Sequence, residues 1–447
     1  MDSRHNISIL QFGARGDGSY DNTRAFEDAF STRGVTVTVP AGIYMTGPVT
    51  MHSDSTLVLE SGAVLKFIPD PSLYKPVYTR WEGERCFAMH PCLYAQNAEN
   101  VSVEGSGVID GSGRKWWEIL WDKKKRGAGV ETDYEKALAA LNPGYEKQAS
   151  GGGGRGTQFL RPALVQFNSC KNVTLKGVKI IESPFWTVHP VFTDNLTIDG
   201  ITIFNPSDSP NTDAIDVDSC THVRILNSYI NVGDDGITIK SGSGEDGLSV
   251  NRPTYDVFVD NCTVASAHGG AVIGSETAAG IRDVVFQNCS FIGTDRGIRL
   301  KTRRGRGGVV ENLTFRNISI DGCLCPFTFN MYYKCGASDD DPCFSLTSLP
   351  VTDHTPHIRN ILIENVTATG CRSSAGFLVG LPEARIENVT IRNSSFSVVH
   401  EGAVETSLSE MYRGLPDVEG RGIRVRSADL KLENVVVEGV GKLLVEE

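Results

Sequence analysis

The chain has 447 residues and carries 43 lysines and arginines against 54 aspartates and glutamates, a formal net charge of −11. This acidic balance excludes a general nucleic-acid binder, which needs a basic excess, and no stretch reaches the roughly 18 consecutive apolar residues of a membrane span. Hydrophobic residues make up 40% of the sequence, enough for a sizeable core. Residues 1–12 lack the pattern of a secretory signal, so we expect a soluble, cytoplasmic protein whose 11 cysteines are reduced.

The first predicted element is a helix over Asp21–Phe30. A capping residue stands at its start, and its apolar residues recur at helical spacing. We expect this helix to close the N-terminal end of the fold, because strand edges there would otherwise stay open.

A repeat runs through most of the remaining chain. Its unit is a polar turn residue, a short β-branched run with period two, and an asparagine at a bend. Clear copies are Asp256–Asn261, Asp283–Asn288, Asn312–Asn317, Asn360–Asn365 and Asn388–Asn393, with relatives that begin at Asn100, Asn172, Asn195 and His222. Repeats of roughly 20 to 50 residues are typical of solenoids. Units of strand length without amphipathic helices predict an all-β fold, a right-handed parallel β-helix that forms a single domain over residues 1–447.

The bends of the repeat carry two further patterns. Many bend asparagines lie in Asn-x-Ser/Thr triplets, which we interpret as turn residues rather than glycosylation sites, because stacked amides satisfy backbone groups where the chain changes direction. Cys262 and Cys289 follow the bend asparagine in adjacent repeats. We expect them to be a stacked, packed pair of interior thiols.

Two long segments interrupt the repeat. The first, about residues 111–161, holds Trp116-Trp117, the basic run Lys123–Arg126, a predicted helix near Thr132–Leu141, and Gly151–Gly154. The second, about residues 327–357, holds Tyr332, Tyr333 and the acidic run Asp339–Asp341. Such insertions form either a lid or wall of a cleft or a flexible flap. We predict that both line a cleft.

Residue types that carry chemistry concentrate in four consecutive repeats. They are Asp213, followed by Asp216 and Asp218; Asp234 with Asp235; His268; and Arg299 with Lys301. Because equivalent positions stack at roughly 4.8 Å and alternate strand residues point the same way, we expect them to share one solvent-facing sheet. Carboxylates this close do not all ionise normally, so we expect one raised pKa and hence a proton donor. A carboxyl pair acting as acid and base is what glycosidic cleavage requires.

The cations extend this pattern. Arg299, Lys301, Arg303, Arg304 and Arg306 form a basic strip in an acidic chain, which predicts a local field for an anionic substrate. Taken singly, each feature has a plainer interpretation: an Asp pair as a turn or calcium ligand, a histidine beside glycines as a bend residue, alternate cations as a solvated ladder. Their coincidence in neighbouring repeats favours hydrolysis or elimination of an acidic polysaccharide.

The combined motifs also resemble a known family. Asn-Thr-Asp213, Gly-Asp234-Asp235, His268-Gly269 and Arg299-x-Lys301, in this order and spacing, resemble the signature of glycoside hydrolase family 28, the polygalacturonases. The resemblance covers nearly the whole chain and departs from the commonest pattern only in small residues, at Ala214, Gly236 and Ala267. Ser183–Pro190 and His268–Glu276 resemble bacterial exo-acting members.

The resemblance implies a mechanism and its residues. Hydrolysis of α-1,4-galacturonosyl bonds would proceed with inversion, with Asp234 as general acid and with Asp213 and Asp235 activating the attacking water. His268 would help keep the proton of the acid available. Arg299 and Lys301 would pair with the substrate carboxylate, together with a family tyrosine that maps onto Tyr333, with Tyr332 as its competitor. Neither a metal nor another cofactor is expected.

Several functions remain open at this point. We expect an exo-acting galacturonidase, because the insertions could block one end of a groove. Alternatives are a hydrolase of rhamnogalacturonan or substituted galacturonan, a calcium-dependent pectate lyase with Asp213, Asp216, Asp234 and Asp235 as ligands, and a non-catalytic binder. The expected partner is a pectic saccharide, with neither nucleic acid nor membrane involved. The sequence makes no prediction of oligomeric state or of the number of sugars released.

Overall fold

A computed structural model describes residues 5–147, 160–338, 340–410 and 421–447. Gly151–Gly154 and Asp339, singled out above, lie outside these residues. Strands in long parallel sheets are the main regular structure of the described chain, and the chain is a right-handed parallel β-helix, which confirms the fold class predicted from the repeat. It divides into two compact units: the first comprises residues up to Trp81, Arg85–Asp216 and Cys220–Gly233, the second Glu82–Glu84, Val217–Ser219 and Asp234–Glu447. The single-domain interpretation stays a prediction.

The first unit is built from short strands whose apolar residues stack inside the coil. Its strands are His5–Ser8, Asp17–Asp21, Val35–Val39, Gly42–Thr46, Val49–Met51, Thr56–Leu59, Ala63–Phe67, Pro76–Trp81, Leu93–Gln96, Glu99–Gly105, Val108–Asp110, Val165–Asn168, Lys171–Lys176, Lys179–Ile181, Val188–Val191, Asp194–Asp199, Thr202–Phe204, Thr221–Leu226 and Tyr229–Asn231. In parallel register, Val103, Leu175, Ile198 and Ile225 occupy one interior column, and all four are fully buried. The strands Glu84–Met89 and Ile215–Asp218 contain a boundary between the two units.

The second unit repeats the same arrangement with longer strands. These are Ile237–Lys240, Thr254–Asp260, Thr263–Ala265, Gly269–Gly274, Ile281–Gln287, Ser290–Ile292, Arg296–Lys301, Val309–Asp321, Cys325–Asn330, His357–Cys371, Gly376–Val379, Ile386–Val398, Ile423–Arg426, Ala428–Glu438 and Leu444–Glu446. Phe286 and Phe315 face each other across paired strands, with ring centroids 5.7 Å apart. Such interior stacks hold successive coils in register.

The bend asparagines form the expected ladders. Asn172 adopts a left-handed backbone conformation, with φ of 57°, and its side-chain amide donates to Asn100 Oδ1 at 2.9 Å. In the second unit the amide of Asn388 donates to Asn360 Oδ1 at 2.9 Å. Asparagine tolerates this conformation better than other non-glycine residues, so the turn interpretation of these triplets is confirmed.

The predicted thiol pair is also found. Cys262 and Cys289 are buried, and they precede Thr263 and Ser290, which pair in adjacent strands. Burial raises the pKa of Cys289 to about 12. The two thiols therefore behave as interior packing groups, as expected.

Helices are few. They are Thr23–Phe30, Gly113–Arg126 and Asp133–Ala140 in the first unit, and Gly244–Val250 and Thr406–Glu410 in the second, with 3₁₀ turns at Ile9–Phe12, Pro71–Leu73, Tyr145–Lys147 and Pro342–Phe344. The predicted N-terminal helix is confirmed: Phe26 and Phe30 are buried, and the helix contacts the strands Val35–Val39 and Val49–Met51. Within the described residues, no helix is long and apolar enough to cross a membrane.

The described part of the first insertion contains two helices, only one of which was expected. Asp133–Ala140 confirms the predicted helix and begins with a capping box in which Thr132 and Glu135 exchange hydrogen bonds. Gly113–Arg126 was not predicted, although Trp116, Trp117 and Leu120 have the spacing of a buried helical face.

The second insertion is shorter than expected. Phe327–Asn330 belong to the strand Cys325–Asn330, in which Phe327 and Phe329 are buried. The predicted boundary at Phe327 is therefore wrong, because alternating aromatic residues here fill the interior of the coil. The insertion starts after Asn330 and ends before the strand His357–Cys371.

Candidate active site

Asp234 and His268 form a close pair in the second unit. They occupy equivalent turns, just before the adjacent strands Ile237–Lys240 and Gly269–Gly274. The backbone N–H of His268 donates to the carbonyl oxygen of Asp234 at 2.8 Å, and its ring Nδ1 lies 3.3 Å from Asp234 Oδ1. The same carboxylate oxygen accepts the backbone N–H of Asp235 at 2.9 Å. Coil stacking thus fixes the imidazole against the carboxylate.

Each member of this pair shifts the pKa of the other. Burial alone would raise the pKa of Asp234, but the positively charged His268 ring more than offsets it, and the pKa lies below its usual value. The negative charge of Asp234 in turn raises the pKa of His268. The charged imidazole and the ionised carboxylate therefore stabilise each other across this contact.

Asp235 is the centre of a buried ion cluster. Its side chain is inaccessible to solvent; Arg299 Nη1 donates to Oδ1 at 2.7 Å, and Lys301 Nζ donates to Oδ2. Arg299 and Lys301 point to this side of their strand because Ile298 and Leu300, which alternate with them, are buried hydrophobic residues. Burial would raise the pKa of Asp235, but the two cations hold it far below its usual range.

Crowding of the carboxylates does not raise the pKa of Asp234 or of Asp235. The sequence predicted that crowding of carboxylates would raise a carboxyl pKa, yet the pKa values of Asp234 and Asp235 are both lowered. The physical reason is that each carboxylate has a cationic partner beside it, His268 for Asp234, and Arg299 with Lys301 for Asp235.

Of the two competing tyrosines, Tyr333 is the one beside the cations. Lys301 Nζ lies 5.2 Å and the Arg299 guanidinium carbon 5.6 Å from the centre of its ring. The backbone N–H of Tyr333 donates to the carbonyl oxygen of Thr302 at 3.0 Å, which holds the residue against this strand. Tyr332 instead lies near Arg304, with the guanidinium 5.5 Å from its ring centre.

The rest of the predicted basic strip does not form a substrate field. Arg303 donates to the carbonyl oxygens of Cys335 and Gly336 at 2.9 and 3.2 Å. Arg304 binds Glu383 through two nitrogens and also donates to Cys343 O and Ser345 O. These arginines fix the second insertion, and they are buried. The prediction of a basic strip that faces the substrate was wrong at Arg303 and Arg304, because their side chains donate to carbonyl oxygens of the second insertion.

A further charged cluster was missed in the sequence. Lys240 Nζ lies 2.8 Å from Glu276 Oε2, and Arg306 Nη1 lies 3.6 Å from Glu276 Oε1; all three side chains are buried. Lys240 follows Ile239, whose partner Ile273 precedes Gly274, and Gly274 pairs with Lys301. This register places Lys240 on the same sheet face as Lys301, so counting strand positions from coil to coil in the sequence would have found it.

Asp213 lies in the first unit, directly before the strand Ile215–Asp218. It is buried, and its carbonyl oxygen accepts the backbone N–H of Thr187 at 2.9 Å. The neighbouring Thr212 hydroxyl hydrogen-bonds the Ser209 hydroxyl at 2.5 Å, which tightens the turn. Participation of Asp213 in the same site as Asp234 stays a prediction.

The acidic residues do not suit calcium. A calcium site needs several carboxylate or carbonyl oxygens free to face the ion. Both oxygens of Asp235 already accept from Arg299 and Lys301, and Asp234 faces the imidazole of His268. A divalent cation at these oxygens would be opposed by the adjacent positive charges. The contacts of these two carboxylates therefore count against the lyase alternative.

The Asp234–His268 pair has a direct spectroscopic test. In wild-type protein, NMR titration of His268 should give a pKa above its usual value of about 6.5. In Asp234→Asn the neighbouring charge is lost, so the His268 pKa should fall. An unchanged titration in this variant would contradict the coupling. His357, on a separate strand, serves as the internal control.

Comparisons with known proteins agree on one family. The family model of glycosyl hydrolases family 28 matches residues 150–407. A probable polygalacturonase from Vitis vinifera is 31% identical over 403 residues, which cover 87% of this chain and 74% of that protein. An exo-poly-alpha-D-galacturonosidase from Dickeya chrysanthemi is 27% identical over 332 residues, which cover 70% of this chain and 54% of that protein.

A solved structure gives the same result. The crystal structure of a hyperthermoactive exopolygalacturonase from Thermotoga maritima is similar with a TM-score of 0.80 and 31% sequence identity, covering 98% of this chain and 93% of that one. The matched residues 150–407 include every side chain of the site described above. The chain therefore belongs to glycosyl hydrolase family 28, the family of the polygalacturonases, and is a glycoside hydrolase of pectin.

Proposed function

We propose that the protein removes sugars from one end of polygalacturonate and its oligomers by an exo-acting, inverting hydrolysis of α-1,4-galacturonosyl bonds. The observation that carries this proposal is the Asp234–His268 pair beside the Asp235–Arg299–Lys301 cluster. It combines a proton reservoir, an ionised carboxylate and two cations within three adjacent coils. These are the groups that acid/base cleavage of an acidic sugar chain needs.

Each residue has a role in the proposed reaction. Asp234 protonates the leaving glycosidic oxygen, with the proton retained by its partner His268. Asp235, which its cations keep ionised, and Asp213 activate the water that attacks from the opposite face. When the substrate carboxylate binds, Arg299 and Lys301 share their donors between it and Asp235, and the bidentate fork of arginine orients the sugar. Tyr333 supports these cations through its ring.

Exo action is supported by the turn Glu82–Glu84. The backbone N–H of Ser243 donates to the Gly83 carbonyl oxygen at 2.9 Å, and a Cβ atom on Gly83 would lie 2.6 Å from Glu276 Cγ. This turn therefore lies directly on the Lys240–Glu276 pair, on the sheet face that also carries Lys301. A backbone segment seated there would stop a polysaccharide from passing. The names of the Thermotoga maritima and Dickeya chrysanthemi proteins also support exo action.

Digestion of defined galacturonate oligomers, labelled at the reducing end, tests the proposal. Product chromatography with a chelator present should show saturated mono- or digalacturonate from the first time point, with the label retained on the shortening oligomer. Proton NMR should show inverted anomeric configuration in the first product. Asp234→Asn, purified in parallel, controls for contaminating hydrolases.

Other product patterns would contradict the proposal. Oligomers of intermediate length at the earliest time points would mean endo action. Ultraviolet-absorbing unsaturated products that disappear with chelator would mean a lyase. No product from galacturonate, together with cleavage of rhamnose-containing or substituted pectin, would move the substrate to another pectic backbone.

A further inference from the structure

Arg161 lies where the first insertion returns to the repeat, and its side chain is buried. Its Nη1 donates to the carbonyl oxygens of Pro184 and Pro210 at 2.5 and 3.2 Å, and its Nη2 donates to Asn211 Oδ1 at 3.1 Å. Its own carbonyl oxygen accepts the indole N–H of Trp81 at 3.1 Å. One guanidinium therefore joins two separate turns of the first unit.

The second of these turns leads directly to Asp213. Asn211 has a left-handed backbone conformation, with φ of 57°, which asparagine tolerates but which needs support from its surroundings. Arg161 supplies that support by donating hydrogen bonds to the side-chain oxygen of Asn211 and to the carbonyl oxygen of Pro210. Asn211 and Asp213 are two residues apart, at most about 7 Å of chain. An error in the placement of Asn211 is thus transmitted to the Asp213 carboxylate.

We propose that Arg161 is a positioning residue for Asp213, and that through it the first insertion sets the orientation of the water-activating carboxylate. The inference rests on the proposed function in that it assigns Asp213 to the reaction. A planar guanidinium suits this place because its fixed fork can meet three acceptors at once, which a lysine ammonium on its flexible stem does less well.

Kinetics of Arg161→Lys and Arg161→Ala test the proposal. On galacturonate oligomers, we expect kcat to fall by about 10²-fold in Arg161→Ala, because displacement of a reacting group by about 1 Å has this effect. KM should change by less than about 3-fold, since Arg161 does not hold the sugar. Millimolar methylguanidine should restore part of kcat in Arg161→Ala. Arg126→Ala, on the same insertion but bound to Asp122 and Glu131, should show neither loss nor rescue.

A second variant separates positioning from general damage to the fold. Asn211→Gly removes the side-chain acceptor of Arg161 in this turn and keeps the backbone conformation accessible. If Arg161 acts through this turn, the loss of kcat in the double variant Arg161→Lys/Asn211→Gly should be clearly smaller than the product of the two single losses. Multiplicative losses would overturn the proposal.

Hydrogen exchange gives a readout that does not depend on activity. Amides of residues 212–214 should exchange faster in Arg161→Lys than in wild type or Arg126→Ala. If the wild-type protein is inactive but these amides still exchange faster in Arg161→Lys, the proposed function is refuted and the positioning contact stands. An active wild-type protein whose Arg161→Lys variant keeps normal kcat and normal exchange would refute the inference alone.

Discussion

Asp234→Asn should lower kcat on galacturonate oligomers by about 10²- to 10⁴-fold, the usual contribution of general acid–base catalysis. The variant keeps the shape of the side chain but can no longer deliver a proton to the leaving oxygen. KM should change little, because the proposed sugar-binding cations contact Asp235 rather than Asp234. Steady-state rates and oligomer binding, measured on the same preparation, would separate these two effects.

The leaving group provides a sharper test of the same assignment. An aryl galacturonide with a highly acidic phenol needs no protonation when it departs, so Asp234→Asn should retain much more activity on this substrate than on oligomers. Asp321→Asn is the matched control, since this exposed carboxylate only accepts from the Thr369 hydroxyl. Equal losses on both substrates would mean that Asp234 is not the general acid.

The fold could be predicted from the sequence because its signal is repeated many times. The asparagine at each bend, exemplified by Asn312 and Asn360, marks a left-handed residue whose amide donates to the preceding coil. An error in one copy is corrected by the others, and so the solenoid was predictable. The insertions carry no such repetition. The helix Gly113–Arg126 was missed, and the boundary at Phe327 was misplaced, because each occurs once and depends on tertiary packing.

The site was predictable only as a set of residues. The motifs and their spacing identified Asp234, His268, Arg299 and Lys301, and the structure brings these together with Asp235 in the second unit. Their pairing was not predictable, because register alone does not tell which cation meets which carboxylate. Direct contact between the Asp235 carboxylate and two cations lowers its pKa, which the motif alone does not indicate.

Because Asp235 is buried, we expect Lys301→Met to have a second large effect, on the free energy of unfolding. Removing one partner of a buried ion pair is costly since the remaining charge stays desolvated, and we expect a loss of about 3 kcal/mol in the free energy of unfolding. Arg299 still bonds Asp235, which keeps the loss near the lower end of the range for buried pairs. Lys176→Met, which breaks only an exposed pair with Asp199, should cost at most about 1 kcal/mol. Denaturant unfolding at pH 7 measures both.

The same variant should change the acid sensitivity of the fold. A carboxyl whose folded pKa is lowered stabilises the protein above its unfolded value, near 4, and this stabilisation is lost as pH falls toward the folded value. Without Lys301 the pKa of Asp235 in the folded protein is higher. Ionised Asp235 then contributes less to the free energy of unfolding, and acid has less of this contribution to remove. The stability difference between wild type and Lys301→Met should therefore shrink as pH falls below about 4. A constant difference would mean that the Asp235–Lys301 contact does not cause it.

Lys301→Met should also alter substrate choice. A hydrogen bond to a charged group contributes about 1.5–3 kcal/mol, so wild-type enzyme should prefer the free acid over the methyl ester at the contacted sugar by about 10- to 100-fold in kcat/KM. The variant should lose most of this preference, chiefly through a higher KM for the acid. Retention of the preference would place recognition of the carboxylate on other residues, while leaving the structural role of Lys301 beside Asp235 intact. Substrate choice and acid stability thus test two roles of one ammonium group, because the cation that keeps Asp235 ionised in the free enzyme is the one proposed to meet the sugar.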